Sequence, residues 1–151
     1  MTTSIIRFIN IILTALLAGT SFGIWIGLNP MDLTASVYIE QQQNMVLSLR
    51  ALMVVLVFLA TIVTVISAIL QKPNKSVFIS LIVAALFLIA CILITRFGNK
   101  PIDDIVLTWS PNNFPGNWVE FRNNWWSFHI SRTIAEIAAL LIITWTQIKR
   151  D

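Results

Sequence analysis

Four residues near the C-terminal end, His129, Arg132, Thr133 and Glu136, combine a base, a cation, a hydroxyl and an acid within eight positions of one another. At about 100° per residue they fall in one narrow arc of a helix, with Trp125 above and Thr144 below. Arg132 and Glu136 stand i,i+4 and can pair, although Arg preceding Glu is the less favourable order for the helix dipole. His129 is the only histidine. Alone it offers a general base, or one axial position to a metal or haem iron, or simply a structural hydrogen bond, and these residues by themselves name no cofactor. Arg50 and Arg96, on two earlier apolar stretches, bring the cations near this end to three against the single acid Glu136. Each ionisable group at mid-membrane costs at least roughly 2.5–3.5 kcal/mol on insertion scales, so the surplus asks for a counter-ion, such as an anionic or enolisable ligand. The alternative is that Arg50 and Arg96 snorkel to head groups while Arg132 and Glu136 staple helices together; for Arg50 and Arg96 it is the favoured one. Glu136 lies too deep to snorkel.

Other chemistries are missing. The chain has no Gly-rich phosphate loop, no His-x-x-Glu-His metal motif and no Gly-x-Ser-x-Gly elbow, which argues against ATP hydrolysis and zinc proteolysis. Cys91 is the only cysteine, so neither an intrachain disulfide nor a cysteine-based metal cage can form.

The elements that hold these residues follow from composition. With 57% hydrophobic and 11% charged residues in 151, the chain has too few polar side chains to coat a soluble globule. Its charge of +3 comes from scattered basic residues beside apolar runs, which suits anionic lipid rather than nucleic acid. Residues 8–28, 46–70, 77–95 and 126–148 are each long enough to cross about 30 Å of hydrocarbon as a helix. The expected fold is an all-α, integral membrane four-helix bundle in a single domain over residues 1–151, with residues 96–125 as an outer cap. The first run resembles a signal peptide after Arg7, but its length favours a retained span. Arg7, Lys72, Lys75, Lys149 and Arg150 on one side outweigh Arg96, Lys100 and Arg122 on the other, which places both termini in the cytoplasm of a cell membrane. In the first span Ala15, Gly19, Gly23 and Gly27 recur every four residues. This stripe is expected to pack inside the bundle, with homo-oligomerisation through Gly19, Gly23 and Gly27 as the alternative. No internal repeat is visible.

The cap has its own signals. Asn99, Pro101, Asp103 and Asp104 read as a helix start, with Ile102, Ile105, Val106 and Trp109 on one face of a short capping helix. Pro111, Pro115 and Gly116 break it, and Asn117 with Glu120 can cap a helix that starts near Trp118. Trp109, Trp118, Trp125 and Trp126 are expected mostly as an interfacial belt, one or two of them lining a pocket. Glu40, Gln41, Gln42, Gln43 and Asn44 make an amide-rich approach to the second span, whose helix should extend upward and enclose an outer vestibule with the cap.

Two segments carry a family resemblance: Asn99-Lys100-Pro101-Ile102-Asp103, and Trp125-Trp126-Ser127-Phe128-His129-Ile130-Ser131-Arg132-Thr133 opening the last span. They resemble the Asn-x-Pro-x-Asn and Trp-x-x-x-His-x-x-Arg-Thr elements of the anthrone oxygenase-like family of small four-span membrane proteins, with Asp103 where a second Asn is usual. The resemblance implies oxidation of an anthrone, a polycyclic phenolic ketone, to a quinone by dioxygen. His129, Arg132 and Glu136 then become catalytic candidates, His129 removing a proton while Arg132 and Arg50 stabilise the enolate. Arg50, Trp125, Trp126, Asn99 and Gln42 become substrate-binding candidates, the tryptophans stacking on a flat ring. Against this stands a non-catalytic binder or accessory subunit holding a lipid, quinone or partner helix. A transporter fits less well, because no helix has a Pro-broken midpoint.

Overall fold

Lipid offers no partner to a free backbone amide, so every crossing must satisfy its own hydrogen bonds. The computed structural model describes residues 2–148 and meets that demand with helices: α1 (Thr2–Gly27), α2 (Ala35–Leu70), α3 (Lys75–Ile94), a π-helical turn (Thr95–Asn99), α4 (Lys100–Val106) and α5 (Trp118–Ile148). Four stretches, Thr3–Gly27, Ala35–Leu70, Lys75–Val106 and Trp118–Ile148, are long and apolar enough to cross a membrane, and the chain is a multi-pass membrane protein. At 36 and 31 residues, α2 and α5 exceed the roughly 20 a span needs, and both run on beyond it at the end that carries α4. That end is the cap end. At the opposite end the α2–α3 turn is short, closed by the Asn74 side chain accepting from the Val77 amide at 3.3 Å. Lys149 and Arg150, counted above toward orientation, lie outside the described residues.

The helices form a ring in which α1 and α3 each pack on both α2 and α5, while α2 and α5 face one another across the centre and scarcely touch. An apolar core of Leu17, Ala60, Leu81, Leu88 and Ile143 fills the body of the bundle. A second core of Tyr38, Ile39, Val106, Trp109, Trp125 and Trp126 fills the cap end.

Four expectations change here. Gly19, Gly23 and Gly27 face outward, and a Cβ at any of them would meet nothing within 4 Å. The inward face of α1 instead carries Asn10, Thr14 and Ser21, all 0% exposed, and Asn10 Oδ1 lies 2.8 Å from the Thr64 hydroxyl of α2. Hydrogen-bonding side chains have nowhere else to go in hydrocarbon, whereas glycine has no such constraint. Asn99 is not a helix cap: its backbone is helical, α3 passes through the π turn into α4 without a break, and its side chain donates to the Trp125 carbonyl at 3.0 Å. Ile105 is exposed, while Ile102, Val106 and Trp109 face in. Of the four tryptophans assigned mainly to a belt, Trp109, Trp125 and Trp126 are buried. They pack with Tyr38 and Ile39 in the second core.

Candidate functional site

Where α2 and α5 stand apart, a cavity of about 80 Å³ remains, mostly apolar in its lining. α5 presents Trp125, Arg132 and Glu136 to it, α2 presents Arg50 and Val54, and α1 closes the back with Leu17 and Ile24. The wall from α3 to α4 is Cys91, Thr95, Asn99 and Asp103, one residue every four. In a regular α-helix positions four apart drift by about 40° per step, so three steps would carry Asp103 well off the wall. The π turn at Thr95–Asn99 holds more residues per turn, absorbs that drift, and keeps all four in line.

His129 is 0% exposed and clamped on every side. Its ring lies parallel to Trp125 at 5.1 Å between centroids and nearly parallel to Trp126 at 5.5 Å. Nε2 is 3.2 Å from the Ser21 carbonyl and Nδ1 is 3.1 Å from Arg132 Nη2. A carbonyl only accepts and a guanidinium only donates, so Nε2 carries the proton and the Nδ1 lone pair takes the Arg132 hydrogen bond. Neither nitrogen is free for a substrate or a haem iron. His129 does not border the cavity. It fixes the side chain that does.

Arg132 and Glu136 both line the cavity without forming an ion pair; among the described residues the ion pairs are Arg50 with Asp104 at 3.0 Å and with Asp103 at 3.9 Å, and Lys100 with Asp104. Glu136 Oε1 accepts from the Cys91 thiol at 2.9 Å. Four buried polar atoms of lining residues have no hydrogen-bond partner: Arg50 Nη2, which stands in the ion pair with Asp104, Arg132 Nε, a donor, and Glu136 Oε2 and Asn99 Oδ1, both able to accept. Orphaned polar atoms in an apolar cavity cost stability unless something fills them.

Asp103 ties the upper wall together. Its Oδ1 accepts from Gln42 Nε2 at 2.9 Å and from Trp125 Nε1 at 2.8 Å, while Oδ2 faces Arg50. Gln43 adds a clasp from α2 to the end of the cap helix, 2.9 Å from the carbonyls of Val106 and Trp109. Arg50, favoured above as a snorkelling residue, is held by these carboxylates. Arg96 is exposed and lies over the Phe97 ring.

The structure therefore brings Arg50, Asn99, Trp125, Arg132 and Glu136 to one cavity, and sets Gln42, Trp126 and His129 one layer behind. Asp103, Cys91 and Ser21 were not among the candidates. The four-residue ladder from Cys91 to Asp103 is visible in the sequence, but it becomes a wall only through the π turn. Among the described residues no three His, Cys, Asp or Glu side chains converge to hold a metal ion.

Fold and site thus define a four-span membrane protein with a sparsely polar cavity between two facing helices. The anthrone oxygenase family model matches residues 35–142, from the start of α2 into the last turns of α5, and the chain belongs to that family. No curated protein and no solved structure matches it.

Proposed function

We propose that the protein oxidises a lipophilic phenolic ketone of the anthrone type with dioxygen in this cavity. The observation that carries the reading is the set of unpartnered atoms on Arg132, Glu136 and Asn99 inside an apolar chamber of an anthrone oxygenase family member. One donor and two acceptors complement a molecule with a carbonyl and hydroxyl or acidic C–H groups, and suit a quinone, which only accepts, less well. Arg132 Nε donates to the ketone oxygen and stabilises the enolate as it forms, and Glu136 Oε2 takes the proton from the activated methylene carbon. His129 serves as a positioning residue for Arg132, since its lone pair is engaged. The enolate reduces dioxygen, the carbon–oxygen bond forms, and loss of water leaves the new carbonyl; overall a CH₂ and O₂ give C=O and H₂O.

In this reading the cap faces outward and both termini are cytoplasmic, supported by Arg7, Lys72 and Lys75 at the other end. Reporter fusions at Lys75 and Gly116 should report opposite sides. Oxygen uptake with an anthrone substrate tests the chemistry. Arg132→Ala is expected to lower kcat by about 10²–10³, the usual cost of removing a donor to a developing oxyanion. Glu136→Gln should abolish turnover while leaving substrate binding measurable. Full turnover in both variants would refute the assignment, and saturable binding without oxygen uptake in the unaltered protein would identify a non-catalytic carrier of the same ligand.

A further inference from the structure

We infer that the cavity is filled sideways, from the hydrocarbon of the bilayer, through a mouth on α2 at Val54, and that its ligand is a neutral molecule dissolved in the membrane. The inference rests on reading the cavity as a ligand site and deepens it by naming the route and the class of molecule the route admits.

The other approaches are narrower: of the remaining lining residues Met45, Leu49, Arg50, Thr95 and Asp103 are half-buried and the rest are buried. Toward the cap, Gln42 is 3% exposed, Asn99 2% and Trp125 3%, and the Asp103 cluster crosses above them. Toward the opposite end Ala60, Leu81, Leu88 and Ile143 are all 0% exposed. Leu17, Ile24 and Glu136, buried on α1 and α5, close the remaining sides. Among the described residues that line the cavity, Val54 alone is exposed, at 43%. Arg50, one turn above it, has 35% of its side chain accessible. The opening is therefore on the flank of α2 that Arg50 shares with α4.

Depth decides what that opening faces. Val54 lies about 24 Å along α2 from Leu70, where the polar α2–α3 turn begins, at roughly 1.5 Å per residue, which is within the approximately 30 Å of hydrocarbon. Val55 and Phe58 beside it are also exposed, an apolar surface that belongs against lipid tails. A ligand arriving here has already shed its water, so an ionised molecule is discriminated against by the cost of moving charge into hydrocarbon. A neutral phenolic ketone passes, and acquires charge only beside Arg132. Arg50 at the upper rim adds no net pull, because Asp104 and Asp103 face it.

Cys91, on the cavity wall, is a built-in reporter of access. In vesicles containing the full chain, thiol modification is followed by mass spectrometry with benzyl methanethiosulfonate, uncharged and membrane-soluble, and with its cationic trimethylammonioethyl and anionic sulfonatoethyl counterparts. The uncharged reagent is expected to modify Cys91, both charged ones to fail, and Val54→Trp to slow the reaction roughly tenfold by filling the mouth while Val54→Ala quickens it. Met53→Cys combined with Cys91→Ser moves the reporter to the α2 wall and should behave in the same way. Charged reagents as fast as the uncharged one, an unchanged rate in Val54→Trp, or no reaction at either cysteine would each overturn the inference. No turnover is needed for this readout. A Val54-dependent rate in a protein that consumes no oxygen would keep the side mouth and remove the oxygenase reading.

Discussion

At Arg132 a guanidinium sits 8% exposed with one nitrogen on His129 and another with no partner. The geometry separates two duties that a lone histidine and a nearby arginine usually confuse. His129→Phe keeps a flat ring against Trp125 and Trp126 but removes the Nδ1 acceptor. It is expected to lower kcat while thermal unfolding in detergent stays close to that of the parent protein. His129→Ala removes the ring packed against both tryptophans as well, and should cost stability on the order of 3 kcal/mol by analogy with other buried ring deletions. Equal losses of activity and stability in both variants would argue that the ring only packs. Asp103 is tested by a conservative pair. Asp103→Asn retains an acceptor for Gln42 and Trp125 and should be tolerated. Asp103→Ala strands both donors and Arg50, at about 1.5–3 kcal/mol per hydrogen bond to a charged group. Faster limited proteolysis between Val106 and Trp118 in the Ala variant alone is the expected sign.

Among the elements, the continuous run of α3, the π turn and α4 departs most from what residue patterns show. Gly98 sits in that turn, and a Cβ there would stand 2.6 Å from Phe128 Cγ of α5. The near end of a ring cannot swing aside, so Gly98→Ala should destabilise by about 1–3 kcal/mol and push the Asn99 side of the wall out of register. Gly23 gives the opposite result. Its Cβ would meet nothing, so Gly23→Ala should be neutral or stabilising by up to about 1 kcal/mol, the helix-propensity gain over glycine. Unfolding midpoints of the two variants, measured side by side, check whether the two glycines differ as the packing says. The stripe of Gly19, Gly23 and Gly27 is thus no part of the bundle's own packing and lies open to the surroundings.

For the molecule as a whole, polarity is distributed by depth and by direction. Asn10, Thr14, Thr64, Ser67 and Gln71 form a hydrogen-bonding seam between α1 and α2 toward the α2–α3 turn, with the Arg7 guanidinium bonded to Gln71. Within that seam Asn10 Nδ2 has no hydrogen-bond partner, but Asn10 does not border the cavity. The ligand site is assigned to the cavity because the unpartnered atoms of Arg132, Glu136 and Asn99 belong to residues that line it. Because both His129 nitrogens are engaged, the detergent-purified protein is expected to show no Soret band, before or after incubation with haemin. A band that His129→Phe removes would contradict the hydrogen bonding described for this ring.

Much of this architecture was already written in the amino-acid order. Four apolar runs must be helices in lipid, the one polar arc of the last run must point inward, and the second and last helices do extend through the amide-rich and Trp118 segments as their sequences foretold. Arg50, Asn99, Trp125, Arg132 and Glu136 were all legible as candidates because a charge or amide in an apolar run has few places to hide. What only the tertiary structure decided is who meets whom. Local spacing makes Arg132 and Glu136 look paired, yet the fold gives Arg132 to His129 and Glu136 to Cys91, leaving one atom of each for a ligand. Local spacing also aligns the glycines of α1, while the need to satisfy Asn10, Thr14 and Ser21 turns that stripe away from the bundle. Partner choice in a helical bundle depends on which faces oppose each other and on a single wide turn in α3, and neither is encoded within any one helix.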